Sequence, residues 1–203
     1  MPAILGENQN QLKEDGKHVQ LYKEVLVKEV DVNTRIAEMA AEIVGKYKGR
    51  KTLFVELLNG ARPFADSLMQ AIQEIDQEFF PNLQSIIISR YGPNREPGPL
   101  RIVTDLPPEY RDLTEYSVVV IDDLIDGGET LRAAGDLVES YGAEDVSYAV
   151  LVKKDKERTV VVEPLMYGFE LPDKWLAGRG MDDPRIAPEA NRWLGDIAIA
   201  NDF

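Results

Sequence analysis

Apolar residues recur along this chain at two different periods. In "VNTRIAEMAAEIVGKYKGRK", Ile36, Met39, Ala40, Ile43 and Val44 fall at helical spacing, which predicts a first helix with Asn33 or Thr34 as its N-cap. "TLFVELL" is a short apolar run of strand formers. Behind it, "NGARPFADSLMQAIQEI" opens with a turn and continues as an amphipathic helix through Phe64, Leu68, Met69 and Ile72. "QSIIIS", "SVVVI" and "DVSYAVLVKK" predict three more strands. Between the last two, Leu131, Ala134, Val138 and Tyr141 share one face of a helix in "ETLRAAGDLVESYGAE", with Gly142 suited to its stop. Alternation of strand and helix predicts an α/β fold, a central mainly parallel sheet flanked by helices and joined by right-handed crossovers.

Two stretches break the pattern. Residues 1–19 are polar and lack sustained periodicity, so they read as an N-terminal arm, leaving 20–203 as a single domain. "RYGPNREPGPLRIVTDLPPEYRDLTEY" carries Gly92, Pro93, Pro97, Gly98, Pro99, Pro107 and Pro108, which predicts no long regular element there. A loop of that length in a compact domain commonly has a task, such as that of a lid.

Composition narrows the function. The chain has 203 residues and a net charge of −13, so neither nucleic acid nor an anionic membrane is an expected partner. Cysteine is absent and His18 is the lone histidine, which removes thiolate metal sites, cysteine nucleophiles and histidine triads. No stretch approaches the roughly 20 apolar residues of a membrane span, and a cytoplasmic location is expected.

The chemistry concentrates in "VVVIDDLIDGGETL", residues 118–131. Asp122, Asp123 and Asp126 follow a buried strand at the end where parallel sheets bind ligands. Gly127 and Gly128 can take positive φ and let amides converge on an anion. A helix starting near Glu129 and Thr130 adds its positive dipole end and a hydroxyl. The carboxylates cannot hold phosphate, so they accept hydrogen bonds from sugar hydroxyls, hold Mg²⁺ through its water shell, or act as a base. The plain alternative is a solvated acidic turn capping a helix.

This stretch resembles the phosphoribosyl pyrophosphate motif of the type I phosphoribosyltransferases. Further along, "ELLNGARPFADSL", "SRYG", "LVKKDKER" and "GFELPDKWLAGRGMDD" resemble, in order, the pyrophosphate loop, the mobile loop, the purine-contacting lysine segment and the purine-binding hood of the hypoxanthine-guanine phosphoribosyltransferases. The resemblance implies a Rossmann-like domain with a small hood formed by the N-terminal segment and residues from about 165 to 203. It implies a purine salvage glycosyltransferase that moves 5-phosphoribose from phosphoribosyl pyrophosphate to a 6-oxopurine, with Mg²⁺ as cofactor and a homo-oligomeric assembly.

By that resemblance, Asp122 and Asp123 hold the ribose hydroxyls with Mg²⁺ nearby, and Asp126 faces the purine as general base. Gly127, Gly128, Glu129 and Thr130 cradle the 5′-phosphate. Lys153 donates to the purine O6, Trp175 stacks on the base and the Leu176 backbone reads its 2-position. Leu58, Asn59 and Gly60 face pyrophosphate, with Leu58 and Asn59 falling where the family uses a non-proline cis peptide. Arg192 contacts pyrophosphate, with Arg185 as its rival. Asp182 supports a second Mg²⁺, while Arg90 and Tyr91 open the lid. Gly127 stands where a hydroxyl residue is common, Arg90 replaces a serine, and Glu129 brings negative charge toward the phosphate. The alternative function is a regulator of the same fold that binds the donor or nucleotides as a signal.

Overall fold

The apolar run Val118–Ile121 lies at the centre of the fold. A computed structural model of the chain describes residues 11–14, 17–20, 22–91, 97–158, 160–183, 185–186 and 190–201. These form, in order, β1 (Gln11–Glu14), β2 (Lys17–Gln20), β3 (Tyr22–Val27), α1 (Glu29–Tyr47), β4 (Thr52–Leu57), α2 (Arg62–Ile75), β5 (Asn82–Tyr91) and β6 (Pro97–Thr104). A 3-10 turn at Pro108–Tyr110 precedes β7 (Ser117–Ile125), α3 (Glu129–Ser140), β8 (Asp145–Asp155), β9 (Met166–Pro172), β10 (Leu176–Ala177) and β11 (Ile197–Ala200).

Six strands form the main sheet in the order β6-β5-β4-β7-β8-β9, parallel throughout except for the antiparallel β5–β6 edge. All six residues of β4 are buried, as are Val118 to Asp122 of β7, because helices cover both faces. Right-handed crossovers from β4 to β5 and from β7 to β8 run in opposite directions from the centre, which sets α2 and α3 on opposite faces. α1 packs beside α2, and its buried stripe of Val32, Ile36, Met39, Ala40 and Ile43 joins one core with Phe54, Phe64, Leu68 and Ile72. Strand order reverses between β4 and β7, so the loops that leave their carboxyl ends diverge and open a crevice there.

A second sheet, β10-β11-β3, draws on both ends of the chain. Arg179 ties it to α1. Its buried guanidinium donates to the carbonyl of Gly195 at 2.6 Å, to Asn33 Oδ1 at 2.7 Å and to Glu29 Oε1 at 3.3 Å.

The structure corrects three readings of the pattern. α1 begins at Glu29 rather than at Asn33 or Thr34; Asn33 instead receives Arg179, and Thr34 donates to Val30 O at 2.8 Å. At the N-terminal end of the described residues, 11–14 and 17–20 pair as an antiparallel hairpin, while residues 1–10 lie outside the described residues. β6 runs for eight residues through Pro97, Gly98 and Pro99, where the prolines and glycines predict no long regular element. It is an edge strand with register shifts against β5, and proline, which lacks a donor, is tolerated at such an edge. β7 extends to Ile125, so Asp122 and Asp123 belong to the strand and not to the loop after it.

Candidate active site

At the head of the crevice, Asp122 Oδ1 accepts the amide of Asp123 at 3.0 Å. Burial, reinforced by the neighbouring Asp123 charge, drives the Asp122 carboxyl well above the usual carboxylate range. Burial likewise pushes Asp123 up to about 6, against the opposing influence of Asp122 as donor and the positive charge of Arg192. Two carboxyls so short of compensation suit a ligand that brings hydroxyl donors or positive charge.

Beyond them the chain turns at Gly127 and Gly128. Gly128 has φ of 90° and caps α3, a conformation that a side chain would strain. The turn and the first residues of α3 form a cavity of about 330 Å³, lined by Asp122, Asp126, Gly127, Gly128, Thr130 and Lys156 among others. Amides at a helix start and the adjacent dipole end make this an anion cradle. Glu129 also lines it, and its carboxylate lies over Gly127: a Cβ there would stand 2.1 Å from Glu129 Oε2.

A second cavity, of about 220 Å³, is lined by Asp123, Leu124, Asp126, Lys154, Trp175, Leu176, Met181 and Asp182. Trp175 is 51% exposed, an unusual state for so large a ring, and its indole donates to the carbonyl of Asp182 at 3.0 Å. Leu176 is buried in β10, opposite Ile199 of β11. Asp126 lies on the wall shared by both cavities. Burial would raise its carboxyl, but Lys156 at 2.6 Å and Lys154 at 3.4 Å hold it below the usual range. Asp173 completes the cluster, 3.2 Å from Lys154 and 3.3 Å from Lys156.

Lys153, the lysine expected to reach the base, is not at this cavity. It reaches Glu170 of β9 at 3.2 Å and lies 4.9 Å from the centre of the Tyr167 ring. Consecutive strand residues point to opposite faces, so the neighbour Lys154, with only 10% of its side chain exposed, is the lysine that faces the pocket.

The remaining wall comes from distant segments in close contact. The Leu58–Asn59 peptide is cis. A Cβ on Gly180 would lie only 2.0 Å from Gly60 O, so that position needs glycine for the two backbones to meet, whereas one on Gly60 would crowd the Asp123 carboxylate, 2.7 Å from its Oδ2. Arg192 is buried, pairs with Asp182 at 2.9 Å and donates to the Gly180 carbonyl. Arg185 is instead committed to Asp183, at 2.7 and 2.9 Å, and lies over Trp175. Arg90 and Tyr91 end β5; their side chains lie outside the described residues, as does the segment 92–96 that follows. Among the described residues no three acidic or imidazole groups gather into a ready-made metal cage, and no helix is long and apolar enough to cross a membrane.

Lys154, Lys156, Asp173 and Gly180 were not singled out from the sequence. The signal available for Lys154 was strand parity. It was unreadable because Ala149 to Val152 are all buried, so no alternation marks which face the following lysines take.

A family model described as the phosphoribosyl transferase domain matches residues 28–184. The bifunctional protein TilS/HprT of Listeria innocua is 31% identical over 161 residues, 79% of this chain; the chain spans about a quarter of that relative, 24% of its length. The hypoxanthine-guanine phosphoribosyltransferase of Aquifex aeolicus is 31% identical over 160 residues, 78% of this chain and 85% of that one. The crystal structure of a hypoxanthine phosphoribosyltransferase from Staphylococcus aureus superposes with a TM-score of 0.76 at 25% identity, covering 89% of this chain and 92% of the other. With the acid and glycine turn at the head of α3 and matches of this extent, the chain belongs to the phosphoribosyltransferase family, among the hypoxanthine-guanine phosphoribosyltransferases.

Proposed function

We propose that the chain transfers the 5-phosphoribosyl group of phosphoribosyl pyrophosphate to N9 of hypoxanthine or guanine, giving the nucleoside 5′-monophosphate and pyrophosphate. The observation that carries this reading is the position of Asp126 on the wall between two cavities of different character. One is an anion cradle; the other offers an exposed indole and a buried lysine.

In this reading the amides of Gly127 to Thr130 and the Thr130 hydroxyl hold the 5′-phosphate, and Asp122 and Asp123 accept the ribose hydroxyls. The base lies against Trp175 with the Leu176 backbone at its 2-position. Lys154 donates to O6, which favours 6-oxopurines, because the 6-amino group of adenine cannot accept that bond. Leu58, Asn59, Gly60 and Arg192 face the pyrophosphate. β3, β10 and β11 act as the hood that closes over the base.

Mg²⁺ fits the carboxylate oxygens present: Asp122 and Asp123 are raised by burial and short of positive charge, and Mg²⁺ takes few protein ligands when phosphates supply the rest. Asp122 and Asp123 would hold it near the ribose and Asp182 near the pyrophosphate, where it supplies charge stabilisation to the departing group. Asp126, kept anionic by its lysines, takes up the proton from the purine imidazole ring as the C1′–N9 bond forms and the C1′–O bond to pyrophosphate breaks.

The test is a spectrophotometric assay of purified protein with phosphoribosyl pyrophosphate, Mg²⁺ and each of hypoxanthine, guanine, xanthine and adenine, with a chelator control. Turnover with hypoxanthine or guanine and none with adenine is expected. Donor binding without turnover on any base would replace the enzyme with the signal-binding regulator.

A further inference from the structure

The cradle at the head of α3 is lined by more acidic side chains than an anion site ordinarily carries. Among the described residues that line it, Asp122, Asp126 and Glu129 are carboxylic and Lys156 is the single cation. A phosphate entering this cavity brings further negative charge into a partly enclosed space, where repulsion is screened less than in bulk water. Gly127 offers no hydroxyl to help, and the space beside it is taken by the Glu129 carboxylate.

Lys156 is held where it can answer that charge. Its ammonium stands 2.6 Å from Asp126 Oδ1 and 3.3 Å from Asp173 Oδ2. The segment that carries it is pinned by Arg158, whose guanidinium folds back to donate to the carbonyls of Lys154 and Lys156. Two residues further on, the carbonyl of Val160 rests against the glycine turn; a Cβ on Gly128 would lie 2.6 Å from it. The segment thus flanks the amides of the cradle, and 30% of the Lys156 side chain remains exposed, so its flexible stem is free to swing.

We infer that Lys156 is a ligand of the donor's 5′-phosphate, exchanging its ion pair with Asp126 for one with the phosphate when the donor binds. The inference rests on the function proposed above and adds a residue to its phosphate site. An ammonium has three donors, and a phosphate dianion is a stronger acceptor than a carboxylate that already has a second lysine. Asp126 keeps Lys154 on Oδ2 after the exchange, so the carboxylate is still supported while Oδ1 is released from its ion pair. Phosphate binding in one cavity and the availability of Asp126 in the other are thereby coupled through a single side chain.

The experiment is calorimetric titration of the full chain and its Lys156→Met and Lys156→Arg variants with inosine 5′-monophosphate and with inosine, at low and moderate salt. Loss of a charge-assisted hydrogen bond predicts an affinity for the monophosphate about tenfold to a hundredfold weaker in Lys156→Met. Inosine affinity should be unchanged, Lys156→Arg should recover most of the loss, and the salt dependence of monophosphate binding should flatten in Lys156→Met. Equal monophosphate affinity in the parent and Lys156→Met would overturn the inference while leaving the proposed function intact. Parallel loss of inosine and monophosphate affinity would also overturn it, because a damaged fold does not discriminate between the two. Failure of the parent itself to bind the monophosphate would remove the proposed function together with this residue's part in it.

Discussion

Substitution of Gly180 by alanine tests whether the pyrophosphate side of the site depends on backbone contact rather than on side chains alone. Gly180 has φ of +117°, and an added Cβ would stand 2.0 Å from the carbonyl oxygen of Gly60 and 2.9 Å from Asp123 Cβ. Ordinary contact begins at 3.4 Å, so the two backbones must part by about 1.4 Å. Neither neighbour is the far end of a flexible side chain that could turn aside. The displaced segment takes the site with it, because Gly180 N donates to Arg192 O at 2.9 Å, Arg192 donates back to Gly180 O, and Asp182 lies two residues on. Conformational strain costs about 1–2 kcal/mol and overpacking about 1–3 kcal/mol. For a chain of this size a loss of about 2–5 kcal/mol lowers the melting temperature by roughly 5–15 °C, which leaves a folded protein to assay. A misplacement of about 1 Å reduces turnover by on the order of a hundredfold. Differential scanning fluorimetry and steady-state kinetics on the same preparation check both. A variant melting within about 2 °C of the parent and turning over within twofold would refute the close approach of Gly60, Asp123 and Gly180 as a requirement of the site.

Three further outcomes follow. Lys154→Ala should raise the KM for hypoxanthine or lower turnover by about tenfold or more, whereas Lys153→Ala, whose partners are Glu170 and Tyr167, should alter either constant less than threefold; the reverse ranking would return the base contact to Lys153. Asp126→Asn should lower turnover by about a hundredfold or more while donor affinity holds or tightens, since Lys156 loses its competing carboxylate; unchanged turnover would remove Asp126 from the base role. Glu56, fully buried in β4, has its carboxyl raised above 4.5, chiefly by burial, although Ser85 donates to it at 2.5 Å and Arg62 pairs with it at 2.8 Å. A raised acid contributes stability below its unfolded value that is lost as pH rises toward its folded value. The melting temperature of Glu56→Gln should therefore gain on the parent from pH 4.5 upward, and a constant difference across that window would show that Glu56 titrates alike folded and unfolded.

Much of the architecture follows from local pattern. The apolar runs at Thr52–Leu57 and Val118–Ile121 become the buried central strands because only a sheet covered on both faces buries so many consecutive apolar residues. The periods in Arg62–Ile75 and Glu129–Ser140 become helices whose apolar stripes meet that sheet. The order of carboxylates, glycines and helix start in residues 122 to 130 is also local, since a strand end, a turn and a helix N-terminus lie within a single stretch of chain.

Properties that depend on a neighbour far along the chain were decided by the tertiary structure. The strand through Pro97 and Pro99 exists because β5 offers it an open edge. Lys154 rather than Lys153 faces the pocket because β9 and β7 fix the register of a strand whose own burial pattern carries no parity. The high proton affinity of Asp122 and Asp123 arises from burial among residues that no sequence window contains together. The meeting of Gly60, Asp123 and Gly180, on which the closed side of the crevice depends, joins three distant points of the chain: spacing sets what each residue can do, and packing of the whole sets which residues meet.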